Sequence, residues 1–548
     1  MRLMTIFWID SLKEMECRWP HSIEGEIKGN NIEYIFLKIE EKDVKYVKIG
    51  VRYEIEFILN RLPFQVQHFA LSYVTKHRLV EKLINNPLLD VSFTDSNDNP
   101  DKKRNCAAQL KGGLIWNLNE EQREAVQNII AAKNQPLPYI LYGPPGTGKT
   151  QTLVAAVEAI VRSTSKNVLV CANSNAACDE ITIRLIQVLN SNELLRFYAK
   201  KFYEVKLKEK ILPYSNYDGK DFHHPILKHL LEFRVIVCTL CTAACLTRAD
   251  EKCGPLPFSH IIIDECASTH ETMSLVAIAG LCTDKDGVHS SIVLSGDPKQ
   301  LDAVTKSEKA ELLGYKISLL EQFCSRPLYK RDRITKKFNP KYITQLVKNY
   351  RSHSTILHMP NKLFYESTLQ AKAGSESADW FINSRFLPSK RFPIIFHDVK
   401  GICEGTKRSF SLLNIKEMNV VVDYLKDLLW QRQNGRSILP SEIGVVSPYK
   451  LQCKRISQAI RKSELEDITV GTAEVFQGQE KSIMIVSTVR SGGSELGFVS
   501  DPRRVNVMIT RAKSLLIVVG NRSTLVRDSN WAQFIQYCND NNALINWR

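Results

Sequence analysis

One segment constrains the fold of this chain more than any other, the stretch Leu-Tyr-Gly-Pro-Pro-Gly-Thr-Gly-Lys-Thr at residues 141–150. It follows an apolar run and opens Gln151-Thr-Leu-Val-Ala-Ala-Val, which has the composition of a helix. Glycines in such a loop allow backbone amides to converge on an anion where the helix begins. The segment therefore predicts a phosphate-binding loop, and the alternative is a glycine-rich turn without a ligand.

Each residue of this loop has an expected part in holding a nucleotide. Lys149 would reach the terminal phosphates, and Thr150 would offer its hydroxyl to a magnesium ion. We therefore expect ATP and Mg²⁺ as cofactors. The residues expected to line the phosphates are Gly143, Pro144, Pro145, Gly146, Thr147, Gly148, Lys149 and Thr150.

A second segment, Ser259-His-Ile-Ile-Ile-Asp-Glu, ends an apolar run with the two carboxylates Asp264 and Glu265. A carboxylate at the end of a buried strand is the usual partner of the magnesium ion beside a phosphate loop. Asp264 is therefore expected to bind the metal together with Thr150, and Glu265 to orient or deprotonate the attacking water. The alternative is that both acids cap the next helix.

Composition describes an ordinary globular chain. Its 548 residues suggest three or four domains, and a hydrophobic content of 44% suffices for several cores. No apolar run reaches the roughly 18 residues of a membrane helix. The apolar run at the start of the chain is also too short for a secretory signal. We therefore expect a cytoplasmic protein without membrane insertion. Most of the 14 Cys lie in apolar segments, as reduced thiols do.

One group of cysteines has spacings that can bind zinc: Cys238, Cys241 and Cys245, with Cys253 beyond. The segment that holds the first three has the pattern of a buried parallel strand and its following loop. The strand is the favoured interpretation, because no second Cys-x-x-Cys or His-x-x-x-His lies at a suitable distance.

The formal net charge of +15 indicates a polyanionic partner, and nucleic acid is the commonest one for an ATP-binding chain. Residues 196–210 hold the densest mixture of cations and rings. Such a segment could follow a phosphate backbone while its rings stack on bases. An amphipathic helix with a solvated charged face is an equally weighted alternative.

The pattern of apolar residues divides the chain. Residues 1–62 alternate in short runs, which predicts a small β-domain, and helical spacing begins near residue 65. A polar stretch at 94–105 predicts a linker. Strand-like runs then alternate with helical segments in two sets, 115–330 and 331–548. We therefore expect an α/β protein with two parallel-sheet lobes and a cleft between them.

Further motifs follow in order: Leu118-Asn-Glu-Glu-Gln122, Gly296-Asp-Pro-Lys-Gln-Leu301, Asn349-Tyr-Arg-Ser-His353, Gly471-Thr-Ala-Glu-Val-Phe-Gln-Gly-Gln-Glu480 and Val505-Asn-Val-Met-Ile-Thr-Arg-Ala-Lys513. Together with the phosphate loop and the two acids, they resemble the motif set of superfamily-one helicases with two RecA-like lobes. The resemblance covers residues 116–523. It implies ATP hydrolysis driven by closure of the two lobes.

The same resemblance implies roles for single residues. Gln122 would contact the adenine edge, Tyr350 would stack on the ring, and Glu480 would link to the nucleotide. Catalysis would use Lys149, Asp264, Glu265, Gln300, Arg351 and Arg511. The last two would be arginine fingers from the second lobe. An arginine finger raises the rate of phosphoryl transfer by a factor of about 10³ to 10⁵. Loops that grip the nucleic acid would contribute Ser174, Asn175, Thr239, Thr242, Pro448 and Thr472.

Within that superfamily, residues 60–71, 274–281 and 392–397 resemble the Armitage branch, the Moloney-leukaemia-virus-ten-like RNA helicases of small-RNA silencing and retroelement control. The resemblance implies a partial β-barrel with a helical stalk and linker at 1–114, and a basic insertion at about 191–232 of the first lobe. It also implies single-stranded RNA as substrate, 5′-to-3′ movement and a monomer. Argonaute- or Piwi-type ribonucleoproteins would be the partners, and cytoplasmic ribonucleoprotein granules the location. The process would be small-RNA silencing or RNA turnover.

Two positions depart from the pattern of the family. Relatives have Gln or His where Ser268 stands, and Gly-Pro where Asp302 and Ala303 stand. Serine is too short to span the same gap, and an acid near the strand-binding face would repel phosphate. We therefore expect ATP binding to be kept and its coupling to RNA to be weaker than usual.

Three alternatives belong to other classes. An ATP-gated RNA clamp or ribonucleoprotein scaffold would bind RNA with little unwinding, and the two departures favour it. A DNA helicase or nuclease of the same superfamily is the second, because choosing RNA depends on 2′-hydroxyl contacts that sequence does not show. A small-molecule kinase is the third, and it does not explain the arginine motifs of the second lobe.

Overall fold

The computed structural model describes residues 60–92, 113–200, 209–248, 258–282, 288–405, 411–465, 467–493 and 495–546, with residues 44, 45 and 47 and the backbone of four earlier strands. These four strands form an antiparallel sheet in the spatial order Ile35–Ile39, Ile23–Asn30, Arg2–Trp8 and Tyr53–Leu59. The sheet agrees with the expected β-domain, and its closure into a barrel stays a prediction. The expected linker at 94–105 lies outside the described residues.

The helix Leu62–Lys76 joins this sheet to the rest of the chain, and it begins close to where helical spacing was expected. Its buried side chains recur at Val66, Ala70 and Val74, one face of a helix, and they pack into a core of the first lobe. The helix lies against Glu271–Ile278 of that lobe. Two short turns continue it, Val80–Ile84 and Pro87–Asp90.

The first lobe is built on a seven-stranded sheet whose pairings are all parallel. Alternate residues of each strand face two separate cores, Leu141 and Val170 one core and Ile140 and Leu169 the other. Both faces are therefore apolar, which explains the continuous hydrophobic runs in the sequence. The strands in spatial order are Ile343–Gln345, Tyr139–Tyr142, Ser291–Gly296, Phe258–Ile263, Asn167–Ala172, Val235–Thr239 and Leu194–Phe197.

Helices cover both faces of this sheet, as parallel strands require. The α-helices of the first lobe are Glu120–Ala131, Lys149–Ser163, Asn175–Leu185, Leu227–Leu230, Leu240–Arg248, Glu271–Ile278, Glu308–Leu312 and Leu319–Ser325.

Among the described residues, no helix of the chain combines the length and the hydropathy that crossing a bilayer requires.

The second lobe repeats this plan with a six-stranded parallel sheet between two further cores. Two parallel sheets confirm the expected α/β class. The strands in spatial order are Thr469–Gly471, Ile443–Val446, Lys481–Ser487, Ala512–Gly520, Ile394–Asp398 and Leu544–Asn546. The α-helices are Ser354–Phe364, Ser375–Ala378, Ile415–Trp430, Lys450–Lys462, Pro502–Ile509, Arg522–Leu525 and Ser529–Asp540.

The structure differs from the expected domain limits at two places. The strand Ile343–Gln345 pairs with Tyr139–Tyr142 and so belongs to the first sheet, although it lies beyond the expected boundary at residue 330. The strand Leu194–Phe197 is an edge strand of the same sheet, although the expected insertion begins at 191. Both strands are too short to give a periodic signal in the sequence.

A buried carboxylate organises the second lobe. Glu417, on the helix Ile415–Trp430, is 0% exposed and accepts hydrogen bonds from the Ser487 hydroxyl and the Val489 amide, both at 2.8 Å. Burial raises the pKa of Glu417 to about 8, against the opposing effect of these donors. The side chain therefore prefers its neutral form in the folded protein.

The raised pKa of Glu417 predicts that the lobe loses stability as the pH rises from about 4.5 to about 8, because the unfolded chain releases this proton first. Glu417→Gln should flatten the profile, by an amount on the order of 3 kcal/mol between pH 5 and pH 8. Chemical unfolding at both pH values measures it. The exposed Glu376→Gln is the control and should keep the wild-type slope; an equal slope in both variants would contradict the assignment.

Candidate nucleotide site between the two lobes

The phosphate loop follows the strand Tyr139–Tyr142 and leads into the helix Lys149–Ser163. Gly148 has a φ of +83° at the start of that helix, and Gly146 has a φ of +69°. A Cβ atom on Gly146 would collide with Arg351, and one on Gly148 would lie 2.6 Å from the Gln122 amide. The loop therefore needs glycine both for its backbone conformation and for the close approach of neighbouring groups.

The chemistry of the loop suits an anion. The amine of Lys149 donates a hydrogen bond to the Gly143 carbonyl at 2.7 Å, so the lysine lies along the loop. The Thr147 hydroxyl closes the turn by donating to the Pro144 carbonyl at 2.7 Å. Backbone amides at the start of a 15-residue helix add the positive end of its dipole. These groups fit the phosphates of a nucleotide.

Asp264 directly follows the strand Phe258–Ile263, at the same edge of the sheet as the phosphate loop. Its carboxylate accepts from the Ser295 hydroxyl at 2.8 Å and from the Thr150 hydroxyl at 3.4 Å. Burial, and then the adjacent Glu265, raise its pKa to about 6. A carboxylate beside a hydroxyl is an oxygen donor set that suits Mg²⁺, and a cation there would favour the ionised carboxylate.

Glu265 stands at the mouth of the cleft in a left-handed conformation, with a φ of +52°. Its carboxylate accepts a hydrogen bond of 3.4 Å from the Gln477 amide of the second lobe. Glu265 therefore lies within reach of the second lobe, and its expected role beside the terminal phosphate stays a prediction.

The segment Asn349–Arg351 docks directly on the phosphate loop. The Asn349 side-chain amide donates to the Pro145 carbonyl at 2.6 Å, and the Tyr350 amide donates to the Gly146 carbonyl at 2.8 Å. Arg351 continues into the second lobe, where its guanidinium donates to the Thr510 carbonyl at 3.2 Å. One expected finger therefore lies against the glycine-rich loop.

The second expected finger, Arg511, reaches the first lobe through a different partner. Its guanidinium is hydrogen-bonded to the Gln300 side chain, and its Nε donates to the Val507 carbonyl at 3.2 Å. The side chain is only 2% exposed. Burial, and then the nearby Arg351, lower its pKa to about 10, so Arg511 keeps its charge at neutral pH. Arg351 and Arg511 thus converge from the second lobe.

Glu480 neutralises part of this positive charge. Its carboxylate pairs with Arg351 at 2.5 Å and with Lys513 at 2.7 Å. Burial acts to raise the pKa of Glu480, but the two cations outweigh it and hold that pKa at about 2. Glu480 is therefore paired with one of the expected fingers, and its link to the nucleotide stays a prediction.

The expected adenine contacts lie next to the phosphate loop. The Gln122 amide donates to the Thr147 carbonyl at 3.1 Å, and Gln122 closes a capping box with Asn119. Asn119 in turn donates to the Tyr350 hydroxyl at 2.9 Å. The Tyr350 side chain is 45% exposed, so its ring offers a free face. Gln122 and Tyr350 are therefore connected through Asn119.

The expected RNA contacts all follow strands at the carboxyl edges of the two sheets. Ser174 is exposed and caps the helix Asn175–Leu185, whereas Asn175 accepts a hydrogen bond from Arg196 at 2.8 Å. The hydroxyls of Thr239 and Thr242 are bonded to each other at 2.8 Å. The more buried members of the set are Thr242, Pro448 and Thr472. RNA contact by all six residues stays a prediction.

The basic and aromatic segment at 196–210 is described only in part, since residues 201–208 lie outside the described ranges. Arg196 itself is fully buried, and its guanidinium pairs with Asp179 at 2.8 Å. The Tyr198 hydroxyl donates to the same carboxylate at 2.8 Å. Neither alternative fits these two residues, because Arg196 lies on a strand and both side chains bind Asp179 of the helix Asn175–Leu185 inside the core.

The two departures from the family pattern have different surroundings. The Ser268 hydroxyl donates to the Glu265 carbonyl of its own turn at 3.0 Å, so it does not reach across the cleft. Asp302 pairs with Lys316 at 3.3 Å and with Arg503 of the second lobe at 3.2 Å. Because Lys316 also pairs with Glu311 and Arg503 with Glu321, the two cations offset only part of the expected repulsion of phosphate by Asp302.

Sequence comparison agrees with this architecture. Two family models described as AAA domain match residues 117–219 with 215–308, and residues 315–523. The helicase named MOV-10 of Gallus gallus is 37% identical, over 95% of this chain and 55% of its own. RNA helicase Mov10l1 of Mus musculus is 38% identical, over 77% and 35%. The RNA helicase armi of Drosophila melanogaster is 29% identical, over 98% and 48%.

Two parallel-sheet lobes with a phosphate loop in the first and arginines in the second define a protein of the AAA-domain class, as both family models indicate. The chain belongs to the Armitage branch of the superfamily-one helicases, the group that includes MOV-10 and Mov10l1. The expected family is confirmed. The chain spans about half the length of the MOV-10 and armi proteins it matches.

The contact between Gly146 and Arg351 gives a prediction for catalysis. Gly146→Ala would add a Cβ against Arg351 at a φ of +69°, and ATP turnover should fall about 100-fold because the finger is displaced. Gly435→Ala is a matched control, since Gly435 has a φ of +78° and nothing within 4 Å of the added atom. Gly435→Ala should lose about 1 kcal/mol of stability from its backbone conformation alone, Gly146→Ala should lose more because the clash adds to that strain, and only Gly146→Ala should lose turnover. Equal turnover in the two variants would refute the role of the contact.

Proposed function

We propose that this chain is an ATP-hydrolysing motor that moves along single-stranded RNA, in the 5′-to-3′ direction, in small-RNA silencing or RNA turnover. One observation carries the proposal: Arg351 of the second lobe lies against the phosphate loop of the first, and Arg511 of the second lobe is bonded to Gln300 of the first. A site divided between two lobes is complete only when they close. Hydrolysis is then linked to relative movement of the lobes, which is what a motor requires.

The residues of the chain have distinct parts in this proposal. Lys149 and the loop amides bind the phosphates, and Thr150 with Asp264 would hold the magnesium ion that neutralises phosphate charge. Glu265 orients the attacking water, and Gln300 lies between Asp297 and Arg511. Two guanidinium groups stabilise charge that develops on the transferring phosphoryl group.

RNA as substrate is supported by the names of the relatives, two of which are called RNA helicases. The net charge of +15 fits a polyanion of either kind. Grip through phosphates and base stacking gives little sequence preference, and affinity then falls with salt at a slope of about −0.7 per neutralised phosphate. A monomer in the cytoplasm that meets Argonaute- or Piwi-type ribonucleoproteins completes the proposal.

A second candidate is an ATP-gated RNA clamp with little unwinding. Ser268 favours it, because its hydroxyl is turned back onto the Glu265 carbonyl and makes no bond toward the second lobe among those of the described residues. Asp302 favours it less, because the cations that it shares with Glu311 and Glu321 offset part of its charge. The clamp therefore rests mainly on Ser268.

Turnover of ATP without nucleic acid, with single-stranded RNA and with single-stranded DNA tests the motor. We expect RNA to stimulate turnover more than DNA, and Lys149→Ala to abolish both turnover and displacement of a paired strand. Ser268→Gln should strengthen stimulation by RNA if the short side chain weakens coupling. RNA binding that responds to ATP without strand displacement would establish the clamp, and strong stimulation unchanged by Ser268→Gln would remove the argument for weak coupling.

A further inference from the structure

A buried carboxylate, Asp297, lies where the two lobes meet behind the phosphate loop. It is 3% exposed, and burial raises its pKa, while the charge of Lys149 acts in the opposite direction. One oxygen accepts from the Lys299 amide at 2.9 Å. The other accepts from the Gln300 amide at 2.6 Å and from the Tyr365 hydroxyl at 2.7 Å. Asp297 therefore has donors from both lobes.

Tyr365 is the donor that comes from the second lobe, and the motif analysis did not select it. It follows the helix Ser354–Phe364 and is 2% exposed. Its hydroxyl donates to Asp297 and accepts from the Asn506 amide at 2.7 Å. Asn506 also donates to the Lys299 carbonyl at 2.8 Å. Asn506 donates to Tyr365, and Tyr365 donates to Asp297, so both hydrogen bonds are directed toward the carboxylate.

The two sides of this network belong to the elements that carry the arginine fingers. Arg351 precedes the helix Ser354–Phe364, at whose end Tyr365 stands. Asn506 lies on the helix Pro502–Ile509, which leads to Arg511, and Arg511 is itself bonded to Val507 of that helix. One hydroxyl therefore ties both finger-bearing elements to a single carboxylate of the first lobe.

We propose that Tyr365 is a positioning residue for catalysis, whose hydroxyl aligns Arg351 and Arg511 with the phosphate loop by bonding Asp297 on one side and Asn506 on the other. Tyr365 does not line the phosphates itself. It acts through the arginines, and the inference rests on the proposed function. Without the hydroxyl, Gln300 and Lys299 still donate to Asp297, so the lobes can still meet. Their relative position is then less firmly fixed.

Tyr365→Phe in the full chain removes only that oxygen. We expect kcat for ATP to fall about tenfold or more, the effect of losing a hydrogen bond to a charged group, with KM changed less than about twofold. Affinity for ADP with aluminium fluoride, which mimics the transferring phosphoryl group, should fall by a similar factor. Affinity for a non-hydrolysable ATP analogue should stay the same.

Tyr329→Phe is the matched control, because Tyr329 is 1% exposed and its hydroxyl donates to the Pro138 carbonyl at 2.6 Å within the first lobe. It loses an equally buried hydroxyl without touching the network, so kcat should be kept. In an Arg511→Ala background, Tyr365→Phe should lower kcat by less than it does in the wild-type chain, because one of the two arginines that the tyrosine aligns is already missing.

Three results would overturn the inference: equal losses in the two tyrosine variants, equal weakening for the ATP analogue and the aluminium fluoride complex, or additive losses with Arg511→Ala. The affinity measurements need neither RNA nor turnover. Failure of RNA to stimulate the wild-type chain would therefore count against the proposed motor and leave the test of Tyr365 intact.

Discussion

Closing the two lobes buries charged side chains that take part of their hydrogen bonds from the opposite lobe. Asp297 of the first lobe accepts from Tyr365 of the second, and Arg511 of the second is bonded to Gln300 of the first. A buried charge that loses its partner destabilises a protein by about 3 to 5 kcal/mol. Each lobe therefore depends on polar groups of the other, and the closed arrangement is restricted to the one register that pairs them all.

The nucleotide site and the interface between the lobes are one surface. Gly146 has no Cβ where Arg351 lies, and Asn349 is bonded to Pro145 of the same loop. A ligand that orders the phosphate loop also orders the segment docked on it. By linkage, a change in how the lobes meet must alter nucleotide affinity by the same free energy. RNA bound across both lobes would act on ATP through this shared surface rather than through a separate pathway.

Sequence predicted the parts of this site that depend on local backbone chemistry. Glycines at a strand–helix junction and an acid that ends an apolar run have few other uses, so the phosphate loop and Asp264 were identified directly. Arg351 and Arg511 came from a resemblance of ordered motifs. Tyr365 could not be found, because a single tyrosine after a helix has no periodic or spacing signal. Its role depends on three elements that meet only in the folded chain.

The charged residues show most clearly what the sequence alone could not predict. Arg196 lies in the most basic and aromatic run of the chain, yet Asp179 neutralises it inside the core. Asp302 stands where an acid should repel phosphate, yet Lys316 and Arg503, which it shares with Glu311 and Glu321, offset part of its charge. A charge influences a distant ligand only to the extent that near partners leave it uncompensated. The effect of each charge therefore depends on neighbours that its position in the sequence does not reveal.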